Sequence, residues 1–158
     1  MKKDFQFSYE LLPNWKDLPV EDHLLVDRAY SAVESAYAPY SNFKVGAAVR
    51  LGNDSIITGS NQENAAYPSG LCAERVALFY IGANYPNQSI QTICIVAKGD
   101  LIPADKLLSP CGACRQVMLE SENRQKNKIR VIIVNRDQRT MIVTSVIDLL
   151  PFGFGSKH

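Results

Sequence analysis

Two short runs, Leu71-Cys72-Ala73-Glu74-Arg75 and Ser109-Pro110-Cys111-Gly112-Ala113-Cys114-Arg115, hold three of the chain's four cysteines and constrain its fold more than any other feature. Cys111 and Cys114 stand in C-x-x-C spacing directly after a proline. That suits the first turn of a helix, where two thiolates three residues apart can address one ion. Cys72 supplies a third sulfur if the fold brings the two runs together. A helix-like stretch follows each run, Arg75 to Ala83 and Arg115 to Glu120, so all three sulfurs are expected at or near helix N-termini. The positive end of the helix dipole lowers thiol pKa there and offsets thiolate charge.

The number of ligands decides the kind of site. Four protein ligands close a structural zinc, whereas a catalytic zinc keeps one position open. The two runs offer three sulfurs, and the only histidines, His23 inside an N-terminal helical pattern and His158 at the last position, have metal-ligand spacing to nothing. Three thiolates on Zn²⁺ leave a net negative charge, and Arg75 and Arg115 are the candidate compensating cations. Glu74, two residues past Cys72, can reach the open position without being forced to ligate. A carboxylate so placed can accept a proton from water and pass it to a substrate nitrogen. The resulting C-x-E … P-C-x-x-C constellation is the three-cysteine variant of the zinc deaminase signature.

A chain of 158 residues, 46% hydrophobic and 21% charged, is the size of one domain with a sizeable core. Its formal charge of +1 argues against a binder that works by neutralising phosphates, so a small-molecule substrate is expected and nucleic acid is not. No stretch approaches transmembrane length, and the residues after Lys2-Lys3 lack the apolar run of a signal peptide, which leads to the expectation of a cytoplasmic protein with no membrane partner. In that setting cysteines read as metal or catalytic groups before disulfides. Cys94, within Ile93-Cys94-Ile95-Val96, reads instead as a small buried hydrophobe in a strand.

Residues 1–18 are expected to form an N-terminal extension whose alternation around Phe5, Phe7 and Tyr9 suggests an added edge strand, with the catalytic domain over 19–158. The spacing of Leu25, Ala29, Val33, Ala36 and Tyr37 predicts a helix from Pro19 that ends before Pro39. Phe43–Leu51 and Ser55–Asn61 flank Gly52-Asn53-Asp54 as a hairpin. On the extended chain Asn61 and Glu63 face the same way, a donor and acceptor pair suited to vicinal hydroxyls. The apolar helix after Cys72 is expected to be deeply buried, and Ile90–Val96 and Ile129–Val134 read as strands buried on both faces. A short strand at Arg139–Val143 and a short helix capped by Thr144 or Ser145 complete the chain. The cluster Arg124, Lys126, Lys128 and Arg130 reads as a solvated loop. The pattern predicts an α/β fold: three layers, α/β/α, around a single mixed five-stranded sheet, with both cysteine runs where a loop enters a helix.

From about Tyr37 to Gly155 the chain resembles the small, three-cysteine cytidine deaminases. The resemblance rests on Tyr40-Ser41-Asn42-Phe43, Asn61-Gln62-Glu63-Asn64-Ala65, Cys72-Ala73-Glu74-Arg75, Pro110-Cys111-Gly112-Ala113-Cys114-Arg115-Gln116 and Leu149-Leu150-Pro151 with Phe154. It implies hydrolytic deamination of cytidine and 2′-deoxycytidine in pyrimidine salvage, with one zinc per subunit held by Cys72, Cys111 and Cys114 and with Glu74 as the catalytic acid-base. It further implies Phe43 stacking on the base, Asn61 and Glu63 holding the ribose 3′-hydroxyl and the Ala73 backbone reading the base edge. The implied assembly is a homotetramer in which Phe154 enters a neighbour's site and Tyr67 lies near a subunit boundary. The loop Tyr67-Pro68-Ser69-Gly70-Leu71 and the Phe152-Gly153 pair before Phe154 depart from the family's usual pattern, and the second departure makes Phe152 the alternative to Phe154 as the aromatic that enters the neighbouring site. Two other readings are weighed beside this one: a deaminase of aminonucleoside antibiotics of the blasticidin type, and a non-catalytic structural zinc module.

Overall fold

The computed structural model describes residues 1–155. In chain order its principal elements are β1 (Glu10–Leu12), α1 (Val20–Val33), β2 (Lys44–Leu51), β3 (Ile56–Ser60), α2 (Ala73–Asn84), β4 (Ile90–Lys98), α3 (Gly112–Asn123), β5 (Arg130–Val134) and β6 (Thr140–Val143). The strands form one mixed sheet in the order β1-β6-β5-β4-β2-β3. β4 and β5 are parallel and every other neighbouring pair is antiparallel.

The sheet has six strands where five were expected, and the sixth is β1, which pairs Leu11 with Met141 on the open edge of β6. The alternating Phe5, Phe7 and Tyr9 do not belong to it. The strand begins at Glu10, and Leu12 packs beside the α1 cluster. An exposed edge carries unpaired N–H and C=O groups, which a short added strand satisfies.

Period-two alternation distributes the strand side chains between two cores. On one face Cys94 and Val96 of β4, Ile132 and Val134 of β5 and Ala48 of β2 meet Leu25, Val26, Ala29 and Val33 of α1. On the other, Ile93 and Ile95, Val131 and Ile133, and Val49 and Leu51 meet Ala77, Leu78 and Ile81 of α2 and Met118 and Leu119 of α3. The three layers are therefore α1, the sheet, and α2 with α3. Helix α2 is buried on its sheet side only: Phe79 and Tyr80 are about half exposed, although the apolar run predicted burial all round.

Helix α1 stops at Val33, four residues short of the apolar pattern's end at Tyr37. The backbone of Tyr37 is taken by the segment after β3, with its N–H donating to the Asn61 carbonyl at 3.0 Å and its carbonyl accepting from Glu63 N–H at 2.8 Å. Tertiary hydrogen bonds thus outweigh the helical periodicity there and fix the position of the Asn61–Glu63 segment.

Register gathers three chain ends at one edge of the sheet. Gly46 near the start of β2 pairs with Ser60 at the end of β3, and Lys44 pairs with Lys98 at the end of β4. The chain leaves β3 toward α2 and leaves β4 toward α3, so both cysteine runs depart from that edge.

Two contacts set the helix positions. At Gly59 the backbones of β3 and α2 approach so closely that an added Cβ would lie 2.4 Å from the Ala73 carbonyl oxygen and 2.7 Å from Ala77 N. On the other face Asp22, 1% exposed in the first turn of α1, takes Arg50 of β2 at 3.1 Å and Arg130 of β5 at 2.5 Å. Arg130, grouped by sequence with a solvated basic loop, is thereby committed to this clamp.

Replacing Asp22 by Ala leaves two guanidinium groups without their shared carboxylate and is expected to cost about 3 kcal/mol, read as a lower urea midpoint at unchanged slope. Gly59→Ala is expected to push the start of α2 off the sheet, lowering both the thermal midpoint and the bound zinc per chain. Gly82→Ala, where an added Cβ meets nothing within 4 Å, is the control and is expected to leave both at or above their starting values.

Candidate active site

Cys72 is the N-cap of α2 and Cys111 the N-cap of α3, and neither side chain makes a capping hydrogen bond. Both sulfurs are thus free at the positive ends of helices. Cys114, in the first turn of α3, is fully buried. The Cys72 and Cys111 sulfurs are 3.9 Å apart and those of Cys111 and Cys114 3.5 Å, with all three within 4.8 Å of one another. A tetrahedral zinc with Zn–S bonds of about 2.3 Å requires sulfurs ~3.8 Å apart, so the donor set and its spacing fit the ion. No fourth histidine, cysteine or carboxylate joins the cluster among the described residues. His23 is occupied elsewhere, with Nε2 3.0 Å from the Leu18 carbonyl and its ring edge-on to Trp15, and His158 lies outside the described residues.

The sulfurs share protons unequally. A hydrogen bond from Cys114 and the nearby Arg75 pull the Cys72 thiol down to about 5, against burial. The same contact with Cys72, together with burial, pushes the Cys114 thiol up. The cluster therefore carries thiolate charge before any ion is bound. Arg75 faces that charge, with Nη2 3.7 Å from the Cys72 sulfur, while its Nε is buried without a hydrogen-bond partner. The hydrogen bonds of Arg115 run elsewhere: to the Pro110 and Leu149 carbonyls, each at 2.9 Å, and to the Ser109 hydroxyl. Of the two candidate compensating cations, Arg75 bonds a cluster sulfur and Arg115, whose neighbour Cys114 lies on another face of the helix, bonds oxygens instead. Arg115 braces the loop before Cys111 against the C-terminal turn.

Glu74 is 4% exposed at the start of α2. Burial, followed by the negative charge of Cys72, pushes its carboxyl up to about 7, while its own backbone N–H and the Cys114 thiol act in the opposite sense. A group so poised can both accept and release a proton near neutrality. Ala73, fully buried, is the first residue of α2, where backbone N–H groups have no partner inside the helix.

Beside the cluster opens a cavity of about 480 Å³ whose walls include Tyr40, Ser41, Asn61, Glu63, Tyr67, Cys72 and Arg75. Asn61 and Glu63 both line it, yet each is also tied to its own chain. Asn61 accepts from Val45 N–H at 2.7 Å and donates to the Phe43 carbonyl at 2.8 Å. Glu63 accepts from Tyr40 N–H at 2.8 Å, from Ser41 N–H at 3.3 Å and from the Ser41 hydroxyl, and this last bond holds its carboxyl below the usual range. Phe43 is 9% exposed, packs in the larger core and is not among the residues lining the cavity, which leaves little of its surface for a ligand. Tyr67 is 81% exposed at the cavity wall. Phe154 is equally exposed and lies outside the cavity lining.

Sequence reasoning missed the supporting residues. Ser41 orients Glu63 and also accepts from Phe43 N–H at 3.1 Å, and Gln116 holds the backbone of Phe154. Ser41 carried a weak signal, a hydroxyl two residues before Phe43 in a turn. Gln116 closes the Pro110–Gln116 run, but nothing local pointed to its partner, which is 38 residues away.

Comparison with known proteins agrees with this geometry. The model of the family described as the cytidine and deoxycytidylate deaminase zinc-binding region matches residues 19–142. The chain is 36% identical over 133 residues to a cytidine deaminase of Sporosarcina psychrophila, spanning 84% of this chain and 90% of the relative. It is 42% identical over 101 residues to one from Halalkalibacterium halodurans, spanning 64% of this chain and 72% of the relative. Among solved structures, the cytidine deaminase of Burkholderia pseudomallei superposes with a TM-score of 0.71 at 40% identity, covering 84% of this chain and 98% of the other. With three sulfurs at two helix N-termini and a family match that spans both of them, the chain belongs to the cytidine and deoxycytidylate deaminase family.

Proposed function

We propose that the protein hydrolyses the 4-amino group of cytidine and 2′-deoxycytidine, giving the uracil nucleosides and ammonia. The observation that carries this reading is the pairing of a three-sulfur cluster that has no fourth protein ligand with a buried acid, Glu74, two residues from one of those sulfurs. A closed structural zinc module would need the ligand that is missing among the described residues, and nothing in the cavity favours an aminonucleoside antibiotic.

Cys72, Cys111 and Cys114 would hold one zinc per chain. The ion supplies Lewis-acid activation of water at neutral pH. Glu74 accepts a proton as the water oxygen bonds to C4 of the ring, and delivers it to N3. It then takes the remaining hydroxyl proton from the tetrahedral carbon and gives it to the 4-amino group, so that the C4–N bond breaks, the C4 carbonyl forms and ammonia leaves. A carboxyl held near neutrality by burial suits both transfers. Arg75 offsets the sulfur charge, which keeps the thiolates from blunting the ion, and Arg115 keeps Cys111 in place from the loop side. The backbone of Ala73, at the start of α2, is assigned to the base edge. Asn61 and Glu63, which line the cavity, are assigned to the ribose hydroxyls, and Phe43 to the base.

We further propose a homotetramer. Tyr67, Phe79, Tyr80, Phe152 and Phe154 are between 50% and 98% exposed on one chain, more large apolar surface than solvent favours. In that assembly Phe154 completes a neighbour's site and Tyr67 lies at the boundary. Residues 19–158 form the catalytic domain, and 1–18 extend it. A cytoplasmic role in pyrimidine salvage suits four cysteines outside any disulfide and a nucleoside substrate. No described helix is long and apolar enough to cross a membrane.

Glu74→Gln is expected to retain one zinc per chain by elemental analysis and to lower kcat by about 10³-fold, within the range of a lost general acid-base. Full turnover in that variant would remove Glu74 from the proton path. Cys114→Ala is expected to lose both metal and activity. Steady-state kinetics on cytidine, 2′-deoxycytidine and a blasticidin-type compound are expected to give turnover on the first two alone, and sedimentation is expected to give four chains per particle.

A further inference from the structure

The C-terminal segment is held with more care than its exposure explains. Both ends of the Gln116 side-chain amide engage the main chain of Phe154: Nε2 donates to the Phe154 carbonyl at 2.7 Å, and Oε1 accepts from Phe154 N–H at 3.0 Å. This is the pairing that a neighbouring strand would give, supplied by one side chain. Gly153 lies flat against α3, where an added Cβ would meet Leu119 Cδ2 at 2.1 Å. Phe152 stands at φ 59°, a conformation that side chains other than glycine and asparagine rarely adopt. The Arg115 guanidinium anchors the start of the segment through the Leu149 carbonyl.

Consecutive residues of one helix turn thus serve two tasks: Cys114 belongs to the sulfur cluster, and Arg115 and Gln116 fasten the tail. The backbone of Phe154 is fixed relative to the sulfurs, but its ring, 83% exposed, packs into neither described core and lines none of the described cavities. A side chain whose main chain is clamped while its ring stays in solvent is arranged for a surface outside the molecule.

We infer that Gln116 is a positioning residue for the deaminase site: its two hydrogen bonds to Phe154 preset the ring that closes the site of a neighbouring copy. This rests on the reading above that Phe154 enters that site. Holding the backbone beforehand removes an ordering cost from substrate binding, so the effect falls on KM more than on kcat.

The test uses the assembled, zinc-loaded enzyme with cytidine as substrate and four variants: Phe154→Ala, Gln116→Ala, Gln116→Met, which keeps the side-chain length without its hydrogen bonds, and the double variant Gln116→Met with Phe154→Ala. The expected result is a KM raised about tenfold in Phe154→Ala and in Gln116→Met, a much smaller change in kcat, unchanged zinc and sedimentation, and a double variant no worse than Phe154→Ala alone. Should Gln116→Ala lose metal or assembly, Gln116→Met is the variant that decides. An unchanged KM in Gln116→Met beside a raised one in Phe154→Ala, or effects that multiply in the double variant, overturns the role of Gln116 and leaves that of Phe154 standing. Loss of zinc in Gln116→Met overturns it as well, by making the residue a support of the metal helix. An unchanged KM in Phe154→Ala removes the reading of Phe154 itself, and the inference with it.

Discussion

Three sulfur atoms that must carry negative charge within 4.8 Å of one another would repel in the absence of compensation. The fold supplies that compensation by position: Cys72 and Cys111 stand at the positive ends of two helix dipoles, and Arg75 adds a full positive charge. Bringing two helix N-termini to one point is a demand on the whole molecule. It requires β3 and β4 to end at the same edge of the sheet, which the antiparallel register of β2 with both of them enforces. It also requires α2 to lie close on β3, which Gly59 allows.

The cavity wall depends on the same economy of polar groups. Glu63 would face an open site as a lone carboxylate, yet three donors from the Tyr40–Ser41 turn hold it. Asn61 ties the first residues of β2 to the end of β3 by donating to one backbone group and accepting from another. These side chains are placed before a ligand arrives, so little conformational entropy remains to be lost when one binds. Main-chain bonds of the same two residues, distinct from these, stop α1 early at Val33, because the backbone of Tyr37 is drawn into the segment between Asn61 and Glu63.

Much of the layered fold was legible along the chain. The two-sided burial of Ile93 to Val96 follows from an uninterrupted apolar run, the hairpin from Gly52-Asn53-Asp54, and the placement of the cysteines at helix starts from the proline and the apolar stretches behind them. Legibility failed where the deciding partner was remote. Tyr37 fits the helical spacing of α1 and is diverted by residues more than twenty positions away. Arg115 follows a cysteine and turns to carbonyls at Pro110 and Leu149. Arg130 sits in a basic cluster and is claimed by Asp22, 108 residues distant. Phe79 and Tyr80 continue an apolar run but remain exposed, since one helix cannot bury all its faces against one sheet.

Local residue chemistry by itself determined that this chain carries three thiolates, an acid beside one of them and a pattern of alternating strands and helices, because spacing and side-chain type act over a few residues. Only the tertiary structure decided that the sulfurs meet at zinc-sized separations, that Glu74 is buried enough to hold a proton near neutrality, and that Gln116 grips Phe154. Those properties depend on distances and on exclusion of water between segments far apart in sequence, and such quantities exist only once the sheet has set its register.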